Sequence, residues 1–170
     1  MIFEGIEKET ENLKEGLNTL FDYLRRHTQT IPSTTDEQIM LLKNIRSNIY
    51  EDLNQLQHKA LIIESAVILQ KEYPKINKWN WHPKQTSHPE EADLTGYINN
   101  EVFLNAEITT SIDPDGVADT KMRKTMSSLN KKKGLKFYFV QTEKMFNRAQ
   151  SKINNNGWDI TPRQISKTCT

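Results

Sequence analysis

The chain has 170 residues, enough for one well-buried core with an appendage and too few for two ordinary domains. Apolar residues make up 35% of it and none of its apolar runs nears the roughly 20 residues that cross a bilayer. That composition argues against both a membrane-embedded and a disordered protein. The net charge is +1, but residues 1–118 hold 11 Lys/Arg against 19 Asp/Glu while residues 119–170 hold 12 against 3. A basic segment of this kind suits a polyanionic partner or neutralisation within the fold equally well. The start, Met1-Ile2-Phe3-Glu4, lacks the charge and apolar run of a secretory signal, and the single cysteine, Cys169, permits neither an intrachain disulfide nor a cysteine-based zinc site. A cytoplasmic location is expected.

Ile6, Leu13, Leu17, Leu20 and Leu24 recur at three, four and seven, which predicts an amphipathic helix from Ile2 to about His27. Pro32 lies in a Ser/Thr-rich break, and Thr35 with Gln38 fits a capping box that opens a second helix, from Asp36 to about Tyr73, stopped by Pro74. Leu42, Ile49, Leu53, Leu56, Ala60, Ile63 and Val67 form a seam of the kind that packs helix on helix. At ~1.5 Å per residue this helix is about 55 Å long, more than a small domain covers. Its first half is therefore expected to pair with the first helix or with a second copy of the chain. Residues 1–56 read as a helical arm that makes a homodimer, and 57–170 as the core.

After Pro74 the period changes to two. Trp79 and Trp81 alternate with polar residues in a short strand, and their spacing favours the core over base stacking. Residues 83–91, with two prolines and no periodicity, read as a loop. Leu94, Gly96 and Ile98, then Asn99-Asn100, then Val102, Leu104, Ala106 and Ile108 describe a β-hairpin, because asparagine tolerates the positive φ of a tight turn. A loop from Ser111 to Ala118 leads to a helix from Asp119 to Lys132 that carries Met122, Met126 and Leu129 and ends before Gly134. Leu135–Val140 is a strand, and Thr142 caps a helix with Met145, Phe146, Ala149 and Ile153 on one face. Trp158–Ile165 is a last strand that Pro162 confines to an edge. The order predicts an α/β (α+β) fold, a mixed central sheet flanked by helices, behind a long N-terminal helical hairpin.

Asp93 opens the second strand, and Glu107 and Thr109 share a face of its partner because strand side chains repeat every two residues. Paired carboxylates on adjacent strands suit a divalent, oxygen-preferring metal. His82 and His88 lack a companion at ligand spacing. Neither a phosphate-cradling Gly-rich loop nor a Ser/His/Asp nucleophile motif is present.

With Glu90-Glu91-Ala92-Asp93-Leu94-Thr95-Gly96-Tyr97 and Leu104-Asn105-Ala106-Glu107-Ile108-Thr109-Thr110-Ser111 in this order of elements, roughly residues 57 to 165 resemble the PD-(D/E)XK (restriction-endonuclease-like) nuclease superfamily. The resemblance implies a restriction-endonuclease-like core and a Mg²⁺- or Mn²⁺-dependent endonuclease acting on DNA, in a restriction or defence role. It assigns the metal to Asp93 and Glu107, with Glu64 of the preceding helix as a further ligand. Thr109 stands where the family has lysine, and Lys121 in the next helix is the candidate for that charge. Lys131, Lys132 and Lys133 and the i, i+4 stripe of Lys144, Arg148 and Lys152 are the candidate nucleic-acid contacts. The alternative, to which Thr109 points, is a catalytically inactive member of the fold that binds nucleic acid or protein.

Overall fold

The computed structural model describes residues 5–82 and 91–165. Their elements are α1 (Ile6–Thr28), α2 (Thr35–Glu72), β1 (Lys78–Trp81), β2 (Leu94–Ile98), β3 (Glu101–Ile108), α3 (Gly116–Asn130), β4 (Leu135–Val140), α4 (Glu143–Asn156) and β5 (Thr161–Gln164). The loop expected at 83–91 lies outside the described residues except for Glu91, as do His88, Cys169 and the start expected for α1 before Gly5.

Side chains take up free N–H groups at the starts of α2, α3 and α4, whereas α1 starts at Gly5 without such a cap. Thr142 accepts from the Met145 N–H at 3.2 Å, and Asp115 accepts from Ala118 at 2.8 Å, which starts α3 three residues before the expected Asp119. At α2 the cap is Thr34, which accepts from Glu37 and donates to its carboxylate at 2.7 Å, one residue earlier than the Thr35–Gln38 box. The box is displaced because Gln38 instead donates to the Pro32 carbonyl at 2.8 Å.

The fold is α+β: a five-stranded mixed sheet in the order β1-β2-β3-β4-β5, flanked by four helices. β1 pairs antiparallel with β2 and β2 with β3, and β4 and β5 continue parallel to β3. Asn99 and Asn100 turn the β2–β3 hairpin with φ of 53° and 65°. β4 is buried on both faces, as a central parallel strand should be. Its Phe137 and Phe139 join Ile62, Ala66, Leu69, Trp79 and Trp81 beneath α2, while Tyr138 and Val140 join Met122, Met126, Met145 and Ala149 beneath α3 and α4. Both tryptophans are therefore core residues. Gly96 pairs with Trp79, and a Cβ there would lie 2.9 Å from the indole.

The expected α2 seam is only partly the buried one. Leu42 and Leu53 are 66% and 47% exposed, while Leu56 and Ile63 of the seam are buried together with Ile45, His58, Leu61, Ile62, Ser65, Ala66 and Leu69. Beyond Leu56 the sheet captures the His58, Ile62, Ser65, Leu69 stripe, and this selects which face of the helix is buried. α1 lies along α2, where Gly16 allows close approach: a Cβ there would fall 2.6 Å from Leu56 Cδ2. Ile6 and Leu13 of α1 also pack on the sheet's core.

Gly134 carries the chain from α3 into β4 at φ 77°, and a Cβ there would lie 2.4 Å from the Phe103 carbonyl oxygen. Backbone cannot give way as a side-chain tip can. Gly134→Ala is expected to destabilise the protein by about 2 kcal/mol or more, combining left-handed strain with that clash. Urea unfolding at an unchanged midpoint would contradict this.

Candidate functional site

The hairpin register pairs Leu94 with Ala106, so one step further Asp93 stands across from Glu107. Asp93 Oδ2 accepts the Ile108 N–H at 2.8 Å, a bond that fixes the carboxylate to the end of β3. His58 Nε2 lies 3.3 Å from the same oxygen and 3.3 Å from the Ile108 carbonyl oxygen. That imidazole is only 2% exposed, and α2 delivers it from its buried stripe.

Burial and, after it, the Asp93 charge push the Glu107 carboxyl up to about 9, against the opposing charges of Lys132 and Lys121. A hydrogen bond joins the two carboxyls, which share a proton. This is how two acidic groups share a confined space without a cation. On the other side Glu107 pairs in register with Tyr138 of β4, whose buried hydroxyl is raised above its ordinary range, by burial first, and is hydrogen-bonded to Thr109. Thr109 Oγ1 also accepts the Ser111 N–H at 3.2 Å.

These groups open onto a cleft of about 260 Å³ whose lining includes Asp93, Glu107, Thr109, Tyr138, Lys121 and Lys124. At its rim His82 and Glu91 pair at 2.7 Å. The cleft thus brings together Asp93, Glu107, Thr109 and Lys121. Glu64 is not among its lining residues. Six residues beyond His58, it points about 240° round the helix at ~100° per residue, and its carboxyl is raised by burial alone. His58 is the α2 side chain that reaches Asp93.

The basic candidates divide. Lys144 pairs with Asp113 at 3.0 Å, while Arg148 and Lys152 both pair with Asp119, at 2.6 and 2.9 Å. Hydrogen bonds from Arg148 first and Lys152 next hold the Asp119 carboxyl well below the usual range. The α4 stripe is therefore engaged within the chain. Lys131 and Lys133 are exposed, whereas Lys132 is half-buried and acts on Glu107.

His58, Tyr138 and the inward part of Lys132 escaped the sequence reading. The available sign for His58 was a polar residue at i, i+4, i+7 spacing with Ile62 and Ser65 on a stripe that turns out to be buried. Comparison with protein-family models, with curated proteins and with solved structures yields no match.

Because Glu107 is raised in the fold above its unfolded value near ~4.5, its contribution to stability is complete at low pH and is lost as pH rises towards about 9. Without metal, Glu107→Gln is expected to raise Tm at pH 8 by about 2–8 °C, what ~1–2 kcal/mol produces at this size, and to change it little at pH 4. Thermal melts in chelator across that range check it, and parallel pH profiles for the two proteins would refute it.

Proposed function

We propose that this chain is a metal-dependent endonuclease of the restriction-endonuclease-like fold that hydrolyses DNA phosphodiester bonds. The observation that carries the reading is the placement of Asp93 and Glu107 opposite one another, at one end of the hairpin and open to a cleft that Lys121 also lines. Helix, three antiparallel strands, helix, parallel strand is the element order of that fold, which supports the reading further.

Among the described residues no three His, Cys, Asp or Glu side chains form a metal cage. Mg²⁺ does not require one, since it commonly uses one or two carboxylates and keeps several waters. The donor set fits: two carboxyls that repel when both ionised, with the Ile108 carbonyl oxygen beside them. Mn²⁺, which shares this preference for carboxylate, carbonyl and water oxygens, would suit the same donors. When bound, the ion supplies Lewis acidity towards the phosphodiester and lowers the pKa of a water.

The chain's own residues do the rest. Ile108 N–H and His58 hold Asp93 in position, and Glu107, once ionised, would hold the cation beside it. Lys121 brings positive charge to the cleft at the place Thr109 leaves neutral. Cleavage adds water across the P–O bond, so the attacking oxygen ends on phosphorus and its proton compensates the departing alcohol.

A second reading, a binding module without catalysis, is favoured by Thr109, whose hydroxyl is already engaged by Ser111 and Tyr138. Plasmid and single-stranded DNA incubated with Mg²⁺ or Mn²⁺ separate the two. Cleavage is expected, reduced at least about 100-fold by Asp93→Ala or Glu107→Ala and about 10- to 100-fold by Lys121→Ala. Absence of cleavage together with absence of metal binding by calorimetry would leave the binding module.

We also propose that the arm pairs two copies. Leu42, Tyr50 and Leu53, 66%, 59% and 47% exposed, fall within about 80° of one another round α2 at ~100° per residue, an apolar stripe turned to solvent. Analytical ultracentrifugation at micromolar concentration is expected to give a dimer that Leu42→Glu/Leu53→Glu dissociates. A wild-type monomer there would refute it.

A further inference from the structure

We infer that the exposed face of α3 is a track for a nucleic-acid backbone leaving the cleft, with Arg123, Lys124 and Lys131 meeting phosphates and Ser127 and Ser128 donating hydrogen bonds to them. The inference rests on the nuclease reading and locates its substrate. Two shallow depressions run along this helix. One is lined by Gly116, Val117, Thr120, Lys121 and Lys124, the other by Thr120, Arg123, Lys124, Ser127, Ser128 and Lys131. They share Thr120 and Lys124 with each other, and Lys121, Lys124 and Ser128 also line the cleft. The surface is thus continuous from Asp93 and Glu107 outward, and neither depression has an acidic residue in its lining.

Charge bookkeeping within the basic segment singles out this face. Lys144, Arg148 and Lys152 are paired with Asp113 and Asp119, Lys136 with Asp159, and Arg163 with Glu72. Arg123, Lys124, Lys131 and Lys133 are exposed and form no ion pair among the described residues, and the first three line the depressions. Like charges crowded on one helix face repel, and an external anion removes that repulsion. Lys124, Ser128 and Lys131 follow the i, i+4, i+7 line of a single face. Lys124 and Lys131 are ~10.5 Å apart along the axis at ~1.5 Å per residue, about the axial rise of three nucleotides of one duplex strand. Serine hydroxyls and exposed bases are what phosphate oxygens take up, and they read no sequence. An acidic protein would satisfy the charge too, but continuity with a carboxylate-lined cleft favours the strand. A polyanion can approach Asp93 and Glu107 only if cations flank its route.

Fluorescence anisotropy with labelled 20-mer DNA, single-stranded and duplex, and the matching RNA tests the track on the full chain. Asp93→Asn is the background, so that no strand is cut. Adding Arg123→Gln/Lys124→Gln/Lys131→Gln is expected to weaken binding about 30- to 300-fold near 0.1 M salt and to lower the slope of log affinity against log salt by about 2–3. Lys144→Gln should leave both within about twofold, and all variants should keep the background Tm because the altered side chains are exposed. Unchanged affinity and slope in the triple variant, with wild type still cutting DNA, would overturn the track and leave the nuclease reading standing. If the background binds neither DNA nor RNA and wild type does not cut, both fall together.

Discussion

Asp93 and Glu107 face one another across adjoining strands, and most of what surrounds them answers to the repulsion they would have as a pair of anions. The pairing depends on a single extra residue. At the turn, Ile98 pairs with Glu101 and Tyr97 with Val102; continued unbroken, that register would set Asp93 against Ala106. The bulge between Gly96 and Tyr97 shifts the ladder by one, so that Gly96 pairs with Leu104 and the carboxyls come face to face. Because side chains alternate across a strand, a slip of one residue would send Glu107 to the opposite face of the sheet. The Asn99-Asn100 turn, the bulge and the packing of Gly96 against Trp79 act together to prevent that slip.

The two carboxyls are held by different means, and the difference matters chemically. Asp93 takes the place of a strand acceptor for the Ile108 N–H, and His58 lies 3.3 Å from the same oxygen. Glu107 is pushed up by burial and by the Asp93 charge beside it. One group is anchored and the other is ready to ionise when a cation arrives. The layers arrange this: α2 and α3 lie on opposite faces of the sheet, α2 sending His58 to Asp93, while Lys121 of α3 and Lys132 just past its end act on Glu107.

What the sequence made legible was local. The hairpin was readable because its alternation and its Asn-Asn turn lie within a dozen residues or so, and Asp93, Glu107 and Thr109 follow from period two. The start of α2 was missed by one residue because Thr34–Glu37 and Thr35–Gln38 fit the same pattern, and only the Pro32 carbonyl decides between them. His58 was not legible. Its contact with Asp93 spans 35 positions, and it lies off the seam that leucine and isoleucine spacing suggested. Glu64 rested on the resemblance, and which side of α2 meets the sheet is a tertiary fact.

The same distinction governs the basic segment. Lys144, Arg148 and Lys152 form the more regular stripe, and helical spacing alone ranks them above α3. Asp119 reverses the ranking: it lies 29 residues before Arg148, and the packing of α3 on α4 brings it to two cations at once. A carboxylate that carries two charged hydrogen bonds is costly to separate from them, so these cations are poorly available to another anion. Basic charge close in sequence is therefore split by the fold into a part that holds α3 to α4 and a part that faces solvent. The solvent-facing part lies beside the cleft because Asp119 and Lys124 are five residues apart on one helix. They sit about 140° apart around it at ~100° per residue, which turns Asp119 to α4 as Lys124 turns to the cleft.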